Sequence, residues 1–184
     1  AAAGALTCAI DGAGAINCWG GDGLDDLDVP GGAWSALAMG GYNSACALGE
    51  DAVPTCFGYL TVSDDHTVKE PMRDLSAWSP SACGVTAKDG ALACWGSLDE
   101  LVLDGPLVAV SNSGYTACGL TDKGALVCGG SDAFGAVSGA PGGTFNDVAG
   151  NHRVMCAAGE GIACWGYAED LADTIGELRS EEHT

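Results

Sequence analysis

Positive charge is scarce in this chain of 184 residues: six Lys and Arg stand against 25 Asp and Glu, for a net charge of −19. Binding to nucleic acid rests on neutralising phosphates with cations, so this composition excludes a nucleic-acid partner. Histidine is nearly absent as well, with only His66, His152 and His183. A catalytic nucleophile needs a base within hydrogen-bond reach and a third group to orient it. The chain offers no such triad, no phosphate loop after a strand and no carboxylate pair that stands out from the general acidity, so it reads as non-enzymatic and without a cofactor. His152, flanked by Asn151 and Arg153, is the only local cluster worth watching for catalysis, and it reads as a loop between strands. Long apolar runs are missing, because Gly and Asp interrupt every one, which excludes membrane insertion by a helix. Asn-x-Ser/Thr sequons are missing too. Large aliphatic residues are few beside 30 Gly, so the core looks thin.

What the chain does have is ten cysteines in five similar phrases. "CAIDGAGAINCWG" begins at Cys8, "CALGEDAVPTCFG" at Cys46, "CGVTAKDGALACWG" at Cys83, "CGLTDKGALVCGG" at Cys118 and "CAAGEGIACWG" at Cys156. The first cysteines fall 38, 37, 35 and 38 residues apart. A fixed period of this length marks a repeat architecture. Within a copy the cysteines are ten apart (Cys8-Cys18, Cys46-Cys56, Cys118-Cys128), eight apart (Cys156-Cys164) or eleven apart (Cys83-Cys94), around Gly and Asp residues that suit tight turns. Even separations place the pair at opposed positions of an antiparallel hairpin, where a disulfide is feasible. The eleven-residue copy needs a bulge or an even-numbered loop. Buried thiols and a metal site are the competing readings. A structural zinc site, however, wants ligands two to four residues apart, and no such interval occurs. Each closed hairpin would contribute roughly 2 to 3 kcal/mol in the chain-entropy account. Paired cysteines at this density point to an oxidising compartment: extracellular, periplasmic or luminal. The opening "AAAGAL" fits a mature end left by signal-peptide cleavage, or a fragment.

Ahead of each later hairpin stands an apolar pair with spacing three: Trp34 and Leu37, Met72 and Leu75, Leu107 and Val110, Phe145 and Val148. These read as a leading strand, giving sheets of three short strands that must stack to bury their faces. Copy one has only seven residues before Cys8 and is expected to lack that strand, while Ile175 and Leu178 repeat the spacing after the last hairpin. The expectation is an all-β, five-bladed β-propeller with repeats of about 37 residues and one disulfide per blade. As one domain over 1–184, its blades lie near 1–32, 33–70, 71–105, 106–142 and 143–184, with 174–179 closing the first.

The phrase ending in Cys-Trp-Gly resembles the cysteine-bearing branch of the regulator-of-chromosome-condensation repeat family, which includes crinkly-type receptor ectodomains and has a β-lactamase-inhibiting propeller as a relative. Cys18-Trp19-Gly20, Cys94-Trp95-Gly96 and Cys164-Trp165-Gly166 match in full, Cys56-Phe57-Gly58 keeps an aromatic, and Cys128-Gly129-Gly130 loses it. Family members commonly have seven blades and a Gly-Gln-Leu-Gly stretch after Cys-Trp-Gly. Here that stretch is replaced by acidic segments such as "GDGLDDLDVP" and "SLDELVLDGP". The resemblance implies a propeller used for protein binding.

Trp19, Phe57, Trp95 and Trp165 are expected to pack between blades, whereas Trp34 and Trp78, outside the hairpin phrase, are expected at a contact surface with Asp25, Asp26 and Asp28. The acidic loops suit a partner with a basic surface. "DGLDDLD", with Asp22, Asp25, Asp26 and Asp28, lacks the spacing of a helix-loop-helix calcium site and leaves room only for weak calcium binding, as does "SDDHT" at 63–67. No other metal site is expected. The function expected is a non-catalytic interaction propeller. A structural subunit of a larger assembly and a carbohydrate-binding propeller are the alternatives.

Overall fold

In the computed structural model each cysteine pair occupies directly opposed positions of an antiparallel hairpin, and every cysteine is oxidised. The structure describes residues 2–3, 6–20, 27–41, 43–58, 68–151 and 153–167. The bridges are Cys8–Cys18, Cys46–Cys56, Cys83–Cys94, Cys118–Cys128 and Cys156–Cys164, with Cα atoms 4.0 to 4.1 Å apart. That is the close spacing of opposed residues that do not exchange ladder hydrogen bonds. The Cys83 hairpin accommodates its extra residue in an even-numbered loop, 86–91, between the Val85 and Leu92 pair.

Five sheets of three strands follow one another in chain order. The first contains β1 Ala2–Ala3, β2 Leu6–Ile10 and β3 Ile16–Gly20. The second contains β4 Trp34–Gly40, β5 Ser44–Gly49 and β6 Pro54–Gly58. In the third are β7 Met72–Trp78, β8 Ser81–Thr86 and β9 Leu92–Gly96. The fourth is built of β10 Leu107–Asn112, β11 Thr116–Thr121 and β12 Leu126–Gly130, and the fifth of β13 Asp147–Gly150, β14 Val154–Ala158 and β15 Ile162–Gly166. A single 3-10 turn, Ala133–Gly135, interrupts the all-β pattern among the described residues. None of the described helices is long and apolar enough to cross a membrane.

The first sheet departs from expectation. Ala2–Ala3 pairs with Leu6 and Thr7, so copy one has a short leading strand of its own. The segment 174–179, expected to close that blade, lies outside the described residues. The period-three apolar pairs also acquire a reason. The leading strands carry a register shift between Trp34 and Ala36, between Met72 and Asp74, and between Leu107 and Ala109. A bulge adds one residue, so positions three apart return to the same face, the one turned toward the preceding blade. Accordingly Trp34 and Leu37 pack on the first sheet, and Leu107 and Val110 on the third.

Consecutive blades are joined by four apolar clusters. In three of them the ring after the second cysteine lies against the preceding blade's disulfide: Phe57 with Cys8, Trp95 with Cys46 and Trp165 with Cys118. The fourth blade has Gly129 there. The connection 97–106 fills the space instead, for a Cβ at Gly129 would stand 2.8 Å from Leu103 and 2.9 Å from Leu101. "SLDELVLDGP" is therefore amphipathic: Leu98 and Leu103 are buried while Asp99, Glu100 and Asp104 face solvent. Leu27 in "GDGLDDLDVP" is likewise fully buried in the joint between blades one and two.

A backbone hydrogen bond accompanies each joint. The amides of Trp34, Met72, Leu107 and Phe145 donate to the hairpin-tip carbonyls of Gly14, Ala52, Gly90 and Gly124 of the blade before, each at 2.8 Å. Those four tip residues have φ of 85°, 58°, 75° and 77°. This left-handed region is strained for any side chain, which explains glycine at three of the four. At Gly124 a Cβ would also lie 2.6 Å from the Phe145 carbonyl oxygen. Gly124→Ala is expected to lower unfolding free energy by about 2 kcal/mol or more, whereas Ala52→Gly, relieving the same strain, should raise it by about 0.5 to 1 kcal/mol. Urea denaturation under oxidising conditions measures both.

Candidate functional site

Acidic side chains first serve the turns. Asp11 accepts from the amides of Ala13 and Ala15, both at 2.9 Å, and Asp89 from Thr86 Oγ1 at 2.6 Å and the Ala91 amide at 3.2 Å. Asp132 holds the 3-10 turn through the amides of Val137 and Ser138 at 2.9 and 2.8 Å. These bonds hold all three carboxyls below the usual range: the Ala15 amide leads at Asp11, the Thr86 hydroxyl at Asp89 and Ser138 at Asp132. Part of the net negative charge is thus structural.

The leading strands of blades two to five surround a cleft of about 450 Å³ near the propeller axis. Its polar groups are tied between blades three and four. Asp74 Oδ2 accepts from the Val110 amide at 2.7 Å, and Ser76 Oγ donates to Asn112 Oδ1 at 2.8 Å. The Asn112 amide nitrogen, Nδ2, donates to Ser81 Oγ at 2.8 Å. Asn112 is buried, and with its partners it holds the inner edges of two blades together. Burial pushes the Asp74 carboxyl up, the bonds from Val110 and Leu75 oppose that, and the Asp147 charge adds to it.

The exposed rim carries the aromatic cluster that sequence reasoning missed. Each turn between leading and middle strand ends at an equivalent position: Asn43, Pro80, Tyr115 and Arg153. Their carbonyl oxygens sit where the glycine after each second cysteine, Gly58, Gly96, Gly130 or Gly166, leaves no room for a Cβ. Those glycines all have positive φ, so the third strand turns away beneath the rim. Arg153 lies 5.3 Å from the Phe134 ring centroid and 5.6 Å from that of Tyr167, while the two rings meet edge to face at 5.2 Å. Phe134 and Tyr167 are about half exposed, as is Tyr115 at the equivalent turn of the preceding blade. A cation framed by two open rings is suited to protein contacts. The only signal in the sequence was Arg153 itself, in the loop cluster, because Phe134 comes from a different repeat.

Other expected site residues fall elsewhere. Trp34 and Trp78, expected to be partly exposed at a contact surface, are each half-buried. Trp34 packs into the first joint, and the Trp78 ring lies across the glycines of neighbouring blades, 3.2 Å from a Cβ placed at Gly41 and 3.3 Å from one at Gly114. Trp19, expected between blades, is 52% exposed, against 6%, 1% and 6% for Phe57, Trp95 and Trp165, because no described blade precedes it. Asp28 is exposed, whereas Asp22, Asp25, Asp26, His66, His152, His183 and the 63–67 stretch lie outside the described residues. Among the described residues no group of three or more His, Cys, Asp or Glu is placed to hold a metal ion.

With the strand order, the joints and the one-disulfide blades in view, comparison with known structures decides the architecture. The repeat fold is that of the regulator-of-chromosome-condensation propellers. The chain superposes on the ectodomain of the receptor kinase CR4 from Physcomitrella patens with a TM-score of 0.76 at 22% identity, over 89% of this chain and 50% of that one. For the CRINKLY WD40 ectodomain of the Arabidopsis thaliana receptor kinase ACR4 the values are 0.69 and 23%, over 90% and 63%. Yeast RCC1 (Prp20), in a structure bound to Kap60, gives 0.65 and 17%, over 89% and 54%. The propeller thus spans from half to under two thirds of the length of these structures. No family model matches the sequence.

The axis network yields a pH prediction. A carboxyl raised by folding stabilises the protein in acid and loses that contribution as pH rises through its titration. Asp74→Asn keeps an acceptor for the Val110 amide and removes the loss. The stability of the variant relative to wild type should therefore grow between about pH 3 and pH 7. Urea midpoints at the two ends that move in parallel would refute it.

Proposed function

We infer that this propeller is a non-catalytic protein-interaction module that works in an oxidising compartment, extracellular, periplasmic or luminal, and holds its partner on the rim around Arg153. The observation that carries this reading is the exposed Phe134–Arg153–Tyr167 cluster. Aromatic and Arg side chains dominate binding energy at protein interfaces, and here they stand outside the core on turns fixed by the blades. Five disulfides suit such surroundings, since bridges of this kind persist where thiols are not kept reduced. Related folds serve as receptor ectodomains, and yeast RCC1 is seen bound to a protein. The exposed acids of the connections, Asp28, Asp99, Glu100 and Asp104, favour a partner with a basic surface through long-range attraction.

Affinity isolation from the native source with wild-type bait, repeated with Phe134→Ala and Tyr167→Ala, tests the reading. Each substitution should weaken capture of the partner at least about tenfold without moving the urea midpoint, because both side chains are exposed. A partner held equally by both variants would remove the rim from consideration. Reversing Asp99 and Glu100 to Lys should slow association and flatten its salt dependence while leaving dissociation nearly unchanged.

A further inference from the structure

The two ends of the hairpins differ in charge. Every tip between middle and third strand carries a carboxylate: Asp11, Glu50 with Asp51, Asp89, Asp122 and Glu160. The turns between leading and middle strands, 41–43, 79–80, 113–115 and 151–153, contain none, and Arg153 stands in the last of them. Arg153 is exposed. Among the described residues its guanidinium donates no hydrogen bond and enters no ion pair, in a chain with 25 Asp and Glu. Arg73, by contrast, spends its fork on the carbonyls of Thr86 and Ala87, at 3.1 and 2.9 Å.

The frame around Arg153 is fixed from blade five. The Asn151 side chain accepts from the amides of Arg153 and Val154, both at 3.2 Å, and the Arg153 carbonyl accepts from the Tyr167 amide at 2.8 Å. The turn that carries Phe134 is anchored to the same blade, because Trp165 Nε1 donates to the Ala136 carbonyl at 2.8 Å. Trp95, at the same place in its phrase, finds no such acceptor among the described residues. Phe134 itself is held at φ 62°, ψ 17°, a left-handed conformation that is costly for a bulky residue and persists only where its surroundings impose it. Asp132 helps impose it through the amides of Val137 and Ser138. The outcome is a planar cation beside two rings, with its donors uncommitted.

We propose that Arg153 receives one acidic side chain, Asp or Glu, of the protein partner, gripped by the guanidinium fork beside the Phe134 and Tyr167 rings. A carboxylate matches two parallel donors of the fork, and charge-assisted bonds of that kind are the strong ones. The rings hold the guanidinium plane and shield the pair from water. A chain-terminal carboxylate fits less well, since its capture uses a nest of open backbone amides. Here the amides of Arg153, Val154 and Tyr167 are already spent within the turn. The acids that attract a basic partner surface ride on the connections, outside the four turns, so the two forms of recognition coexist. This inference rests on the rim reading above and names the group that the partner sets there.

The probes are the peptide acetyl-Ala-Glu-Ala-amide, its Gln counterpart, and acetyl-Ala-Gln-Ala with a free carboxyl terminus. The chain has three arginines, Arg73, Arg153 and Arg179, so proton–nitrogen NMR can follow each Nε–H, with Arg73 as an internal control. In about 0.15 M salt the Debye length is about 8 Å, which screens the net charge. The Glu peptide should shift the Arg153 signal with a dissociation constant on the order of 10 mM and leave Arg73 unmoved. The other two peptides should bind at least about tenfold more weakly. Arg153→Lys, followed at the Tyr167 amide, should weaken the Glu peptide severalfold, because an ammonium cannot reproduce the fork. An Arg153 signal that no peptide moves, or that the Gln peptide moves equally, would overturn the proposal. Equal binding of the free-terminus peptide would overturn the choice of a side chain. Adding Arg153→Gln to the affinity isolation separates this inference from the rim reading: a partner lost with Phe134→Ala but kept with Arg153→Gln overturns the carboxylate contact alone, whereas a partner kept by both overturns both.

Discussion

A carbonyl at the tip of each of the first four hairpins accepts, at 2.8 Å, an amide at or just before the start of the next leading strand, and beside that bond one blade's disulfide is covered by apolar side chains of the next. The remaining structure follows from this joint. A three-stranded sheet cannot bury its own faces, and a chain with 30 Gly has few large side chains to stack between sheets. The bridge makes each hairpin a preformed, rigid wedge, and its sulfurs form part of the apolar surface. The tip carbonyl then sets where the next wedge begins.

The acidity takes on a different meaning in this setting. Carboxylates at Asp11, Asp89 and Asp132 hold turns by accepting backbone amides, and those of the connections ride on segments whose leucines enter the joints. Leu27, Leu98 and Leu103 anchor loops whose outer residues are Asp and Glu. One segment therefore does two things: it fills a gap left by a small residue such as Gly129, and it holds charge at a fixed height over the surface. The rim opposite the hairpin tips is free of that demand, and there the chain displays aromatic rings around Arg153.

Much of the architecture was legible in the cysteine phrase. The separations of ten and eight residues specify opposed hairpin positions, and the 35- to 38-residue period specifies stacked copies. The leading strands were visible as well, although their spacing of three conflicts with the period of two for a strand. Only the bulges at Ser35, Arg73 and Val108, between shifted pairs, reconcile the two. The tryptophans were legible as a repeated position but not as an environment: Trp19 occupies the same place in its phrase as Trp95, and the two differ from 52% to 1% exposure.

The sequence by itself determined the unit: a bridged hairpin with glycines at its tip and after its second cysteine, preceded by one more strand. These features depend on neighbours a few residues away, and local geometry allows few solutions. Tertiary structure alone decided which equivalent residues are covered, how Gly129 is compensated by a distant connection, and that Phe134, Arg153 and Tyr167 meet. Such outcomes depend on which blade lies alongside, and no periodicity within a repeat carries that information.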